Sequence, residues 1–102
     1  MDPEKETSEF VKKLLEELKT DKIIPSLRKE EGFINYIYEG IQDINENNGV
    51  ETDFEADLLS RRLLKLYVLY ADNKRLAEFK SLYNADYAER QRHYFQNKDT
   101  SL

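Results

Sequence analysis

Leu63-Leu64-Lys65-Leu66-Tyr67-Val68-Leu69-Tyr70-Ala71, residues 63–71, carries one charge in a chain in which 36% of residues are charged. A helix that is apolar nearly all round is covered by neighbours on several sides, so this segment predicts the central helix of an all-helical core. Upstream, Phe54, Leu58, Leu59, Leu63, Leu66, Leu69 and Tyr70 extend its core face at helical spacing. Thr52 or Asp53 can cap its start, and Glu55 complements the positive end of the helix dipole.

Three further helices surround it in the sequence. Phe10, Val11, Leu14, Leu15 and Leu18 form one stripe of helical period, and Asp2-Pro3-Glu4 reads as that helix's start. A break falls at Asp21 to Pro25, because Pro25 biases Ile24 away from helical dihedrals, and Pro25 can open the second helix. Leu27, Ile34, Ile37, Ile41 and Ile44, with Tyr38 beside them, carry the second stripe to the left-handed stop offered by Asn47-Asn48-Gly49. That helix is expected to run about 22 residues, roughly 33 Å. Phe33 to Tyr38 has the composition of a strand, but its length and charged flanks favour helix. Asp72-Asn73 turns the chain into a short fourth helix containing Leu76, Ala77, Phe79, Leu82 and Tyr83. From Asn84 onward the sequence reads as an aromatic and basic tail. Short connections make neighbours run in opposite directions, so the expected architecture is all-α, an antiparallel four-helix bundle with an aromatic and basic C-terminal tail. Residues 1–96 read as one domain and 97–102 as a frayed end.

Composition narrows the function classes. The chain has no cysteine, which removes disulfides, thiolate nucleophiles and structural zinc sites. His93 is its one histidine, and Glu89, four residues before it, has no second such pair to make a di-iron site. Gly32, Gly40 and Gly49 are isolated, so no phosphate-cradling loop exists. Glu16-Glu17 and Glu30-Glu31 point in different directions on a helix and read as solvated charge. The reading is therefore of a protein that is not an enzyme and uses no cofactor or metal. No stretch approaches the about 20 apolar residues of a membrane span. Met1 to Glu9 is polar and acidic, unlike a signal peptide, and the expected location is the cytosol.

Net charge is −5, unevenly spread: residues 1–60 hold 7 Lys and Arg against 16 Asp and Glu, whereas residues 61–102 hold 9 against 5. An acidic half argues against wrapping nucleic acid, while the basic half can meet an acidic partner or the anionic inner leaflet. Between Phe79 and Phe95, the aromatic residues Phe79, Tyr83, Tyr87, Tyr94 and Phe95 alternate with Lys80, Arg90 and Arg92, the residue types enriched at interface hot spots. Phe79, Tyr83 and Tyr87 either close one end of the bundle or join a partner surface. Arg90, Arg92, Tyr94 and Phe95, beyond the last apolar stripe, read as that surface. The same mixture could also stack on single-stranded bases, a third class of function beside a protein-binding adaptor or regulator, monomeric or paired through helix 3.

Leu82-Tyr83-Asn84-Ala85-Asp86-Tyr87-Ala88-Glu89-Arg90 resembles the C-terminal signature of enterocin A-type bacteriocin immunity proteins, a Tyr-x-Ala-Asp-Tyr/Phe core followed by a small residue, an acid and a base. The family's glycine-rich approach to the motif is here Glu78-Phe79-Lys80-Ser81, and the Lys-Ser-Gln-Phe that usually follows is Arg90 to Phe95. The resemblance implies an antiparallel four-helix bundle in the cytosol of a Gram-positive bacterium; the chain is expected to be monomeric and to lie in the cytosol or at the inner face of the membrane. It implies protection from a pore-forming class II bacteriocin by binding the complex of that peptide with its receptor, typically the mannose phosphotransferase permease. It places discrimination on helices 3 and 4, at Tyr83, Asp86, Tyr87, Arg90 and Arg92. Asp86 has a second reading, as a carboxylate that merely caps backbone amides.

Overall fold

The computed structural model describes residues 8–24 and 30–100, the last five by backbone alone. The chain forms four helices: α1 (Glu9–Thr20), α2 (Glu30–Asn48), α3 (Leu58–Asp72) and α4 (Leu76–Thr100). No strand occurs among the described residues, and the strand-like run from Phe33 to Tyr38 lies within α2. Helix directions follow from the side-chain pairs. Glu17 meets Arg61 and, one turn further on both helices, Asp21 meets Lys65, so α1 and α3 run the same way. Asp43 meets Lys80 and Asn47 meets the Tyr87 carbonyl, which makes α2 and α4 parallel too. Tyr70 packs on Phe79 whereas Asp57, at the other end of α3, meets Arg90 and Tyr94. Successive helices are thus antiparallel, the arrangement that the short α3–α4 turn enforces.

The core takes Val11, Leu14, Leu15 and Leu18 from α1, Phe33, Ile37 and Ile44 from α2, and Leu63, Leu64, Tyr67, Val68 and Ala71 from α3. Phe79 and Tyr87 complete it from α4. α2 packs close on α3 at Gly40, where a Cβ would stand 2.6 Å from Leu64 Cδ1 and 3.0 Å from Tyr67 Cδ1. Both of those side chains are buried, so neither can move aside freely. Gly40→Val is expected to cost about 1–3 kcal/mol through overpacking. Urea unfolding checks it, and a neutral result would mean that the two helices can part without loss.

Helix ends differ from the sequence expectation in instructive ways. α1 starts after Ser8, whose Oγ accepts the Val11 N–H at 3.1 Å. The start expected at Asp2-Pro3-Glu4, and the roles expected for Pro25 and Leu27, lie outside the described residues. α2 stops at Gly49 as expected, with φ 76° and its N–H donating to the Asn45 carbonyl at 2.8 Å. α1 and α3 stop on lysines, Lys22 (φ 60°) and Lys74 (φ 58°). In each case the next residue donates back to the helix, Ile23 to the Leu18 carbonyl at 2.9 Å and Arg75 to the Tyr70 carbonyl at 2.8 Å. These are Schellman ends in which lysine takes the position that glycine usually fills.

Two boundaries are corrections. Helix α3 begins at Leu58 behind Asp57, not behind Thr52 or Asp53. Asp53 does act as a cap, but of an isolated turn: its Oδ1 accepts from the Glu55 and Ala56 N–H groups at 3.0 and 3.2 Å. That turn drives Phe54 inward to stack on Phe10, centroids 5.9 Å apart. Leu58 and Leu59, expected in the core face, lie off the buried stripe of Ser60, Leu63, Leu64, Tyr67, Val68 and Ala71 and are 68% and 53% exposed. The second correction concerns the tail. Residues from Asn84 continue α4, with one departure from helical dihedrals at Tyr83 (φ −109°, ψ 16°). Tyr83, Tyr87, Arg90 and Tyr94 fall at i, i+4, i+7 and i+11, an inward stripe that apolar periodicity does not register because its members are polar or aromatic.

Candidate functional site

Helix geometry divides the residues expected to form one partner surface. Successive residues turn by about 100°, so Arg92 lies on the side of α4 opposite Arg90, and Phe95 is also turned away. Arg92 is exposed and Phe95 is 65% exposed. Tyr87, Arg90 and Tyr94 face inward and are tied to acids of other helices.

The Tyr87 hydroxyl donates to Asp43 Oδ2 at 2.8 Å, and Lys80, paired with the same carboxylate, sits 4.5 Å from the Tyr87 ring centre. Burial first, and Asp43 second, push the Tyr87 hydroxyl far above its ordinary range, so it stays a donor. Asn47 Nδ2 donates to the Tyr87 carbonyl at 3.0 Å.

Asp57 gathers more. Its Oδ1 accepts the Ser60 N–H at 3.1 Å as the α3 cap. Its Oδ2 accepts from Ser60 Oγ at 2.7 Å, Arg90 Nη2 at 2.8 Å and the Tyr94 hydroxyl at 2.5 Å. Burial alone would raise this carboxyl. The donors from Tyr94, Ser60 and Arg90 outweigh it and hold the group down at about 2. The Asp57 and Arg90 side chains are each only 11% exposed, so this pair is an internal clasp of α3 and α4. Arg90 Nε is buried with no hydrogen-bond partner among the described residues.

The outward side of the same junction is a small cleft of about 50 Å³. Leu59, Arg62, Leu63 and Leu66 wall it from α3, and Tyr83, Asp86, Glu89 and Arg90 from α4. Its floor is aromatic: the Tyr83 ring packs 5.3 Å from Phe79 and 6.2 Å from Tyr70. Burial, then Tyr70, raise the Tyr83 hydroxyl, with Arg62 pulling the other way and Asp86 adding to the rise, so both charges lie close to that ring. Leu58 continues the apolar edge beyond Leu59 and lines more open grooves on either side, one of them together with Leu59.

Comparison with family models, curated proteins and solved structures finds no match. The reading of the surface therefore stands on its residues. Asp86 is exposed beside the cleft, not at a helix end, so it caps no helix terminus. Tyr83 and Asp86 are the expected site residues that reach the cleft from its α4 side, with Arg90 at its inner edge. Leu59, Arg62, Leu66 and Glu89 belong to the same surface but were not singled out as site residues from the sequence. The signal available was the stripe Ser60, Leu63, Leu64, Tyr67, Val68 and Ala71, whose i, i+3, i+4, i+7, i+8, i+11 spacing leaves Leu59, Arg62 and Leu66 on a shoulder. Among the described residues no cluster of three His, Cys, Asp or Glu side chains could hold a metal ion. Nor is any helix among them long and apolar enough to cross a membrane.

Proposed function

We propose that this chain is a recognition module of the class II bacteriocin immunity type, which protects a producing cell by binding the receptor–bacteriocin complex from the cytosol through the α3–α4 face. The observation that carries the reading is that the segment Leu82 to Arg90, which resembles the family signature, borders a small cleft whose other wall is Leu59, Arg62, Leu63 and Leu66 of α3, with Leu58 exposed beside it. Leucines exposed at 68% and 53% at the edge of a rigid helix are features of a surface that docks on protein. The two carboxylates of Asp86 and Glu89 at the cleft repel a phosphate backbone, which disfavours the nucleic-acid reading. An adaptor for another protein would use the same face.

Such protection needs no bond-making. A bundle that binds the closed receptor–peptide complex more tightly than the conducting one shifts the population away from the pore, by the ratio of the two affinities. The Asp57–Arg90–Tyr94 clasp holds the two walls of the face in register, so that little ordering is left to occur on binding.

The test is the sensitivity of an indicator strain to a panel of class II bacteriocins, with and without expression of this chain in its cytosol. Wild-type protein is expected to protect selectively. Leu59→Asp combined with Asp86→Lys, both at exposed positions, should abolish protection while leaving the thermal midpoint within a few degrees. Unchanged sensitivity to every peptide would return the chain to an adaptor of another kind.

A further inference from the structure

We infer that the α3–α4 face also pairs with a second copy of this chain, so that self-association and partner binding exclude one another. The face is self-complementary. α3 presents Leu58, Leu59 and Leu66 with the cation Arg62, at positions i, i+1, i+8 and i+4 of one helix side. α4 presents Asp86 and Glu89 on the line that begins with Leu82, which is 62% exposed. Among the described residues none of Arg62, Asp86 and Glu89 enters an ion pair, although all three border one cleft.

A two-fold axis passing through that cleft lays α3 of one copy against α4 of the other. Arg62 then reaches Asp86 and Glu89 of the second copy, twice by symmetry, and the exposed leucines cover one another. A heterologous partner would have to supply both an acid and a base in the right order, whereas a second copy carries them already. The apolar centre is small, so the pairing is weak and reversible, as for interfaces burying less than about 1,200 Å². Competition with a partner rests on the proposed recognition role; the self-pairing does not.

Sedimentation velocity of the full chain from micromolar to millimolar concentration tests it, with a mass rising from 12.2 kDa toward twice that value as the expected result. Arg62→Glu should weaken the association by ~10-fold or more, because each change is felt at two symmetric contacts and replaces attraction by repulsion. Asp86→Arg with Glu89→Arg should do the same, and the three changes together should restore pairing. A constant 12.2 kDa at all concentrations overturns the inference. So does a dimer indifferent to these charge changes, since it would form through another face. Loss of protection in cells reads out the recognition role separately, and a chain that pairs but does not protect retains the inference while losing that role.

Discussion

Asp57→Ala is expected to destabilise the protein by about 3–5 kcal/mol, the usual cost of removing one partner of a buried ion pair. The change strips the α3 cap, itself worth about 1 kcal/mol. It also leaves the Arg90 guanidinium, 11% exposed, without its carboxylate, and it deprives Ser60 and Tyr94 of their acceptor. Asp57→Asn separates these contributions. An amide keeps the oxygen that caps Ser60 but turns an uncharged N–H₂ toward Arg90, which can only donate, while the Tyr94 hydroxyl must reverse from donor to acceptor. The asparagine variant should therefore keep the cap and lose the clasp.

The same pair of proteins carries a pH signature. Asp57 is held at about 2 in the fold against an ordinary value of 3.8. A depressed carboxyl contributes stability that is complete above its unfolded value and lost as pH falls through its folded one. The stability gap between wild type and Asp57→Asn should thus be constant above pH ~4 and close as pH falls from ~4 toward ~2. Urea unfolding at a series of pH values measures it. A gap that persists unchanged to pH ~2 would mean that the carboxylate's charge contributes nothing to holding α4 on α3.

Phe79→Ala is the second large effect, again about 3–5 kcal/mol. Phe79 is fully buried and touches four rings, Tyr67, Tyr70, Tyr83 and Tyr87, at centroid distances of 5.7, 5.7, 5.3 and 5.8 Å. Truncation opens a cavity where the first turns of α4 anchor on α3, and aromatic contacts of this kind add about 0.5–1.5 kcal/mol beyond area alone. Tyr83, the floor of the cleft, rests directly on this ring. A folded Phe79→Ala protein should therefore lose near-ultraviolet tyrosine dichroism and partner binding together, with Phe79→Leu retaining more of both. A stability loss below ~1 kcal/mol would show that the ring cluster repacks around the gap.

How much of this was legible in the sequence depends on what each element packs with. The stripe Val11, Leu14, Leu15 and Leu18 is apolar and local, and it is buried as spacing alone predicts. Gly49 ends α2 because a left-handed residue there needs no context beyond its own backbone. Lys22 and Lys74 end α1 and α3 in the same conformation, and nothing in a lysine announces it. Leu58 and Leu59 misled because an apolar residue reads as core until the helix phase is known. That phase is fixed by the stripe that α3 buries, Ser60, Leu63, Leu64, Tyr67, Val68 and Ala71.

The sequence by itself determined four helices, their order and the central place of residues 63–71, because these depend on apolar period and on turn chemistry within a few residues. Only the tertiary structure decided that the chain beyond Asn84 continues as helix and which of its residues remain outward. Tyr87 finds its acceptor 44 residues away at Asp43, and Arg90 and Tyr94 find theirs 33 and 37 residues away at Asp57. A stripe of polar and aromatic residues carries helical spacing but no apolar signal, and its inward direction is decided by carboxylates that α2 and the α3 cap present from far along the chain.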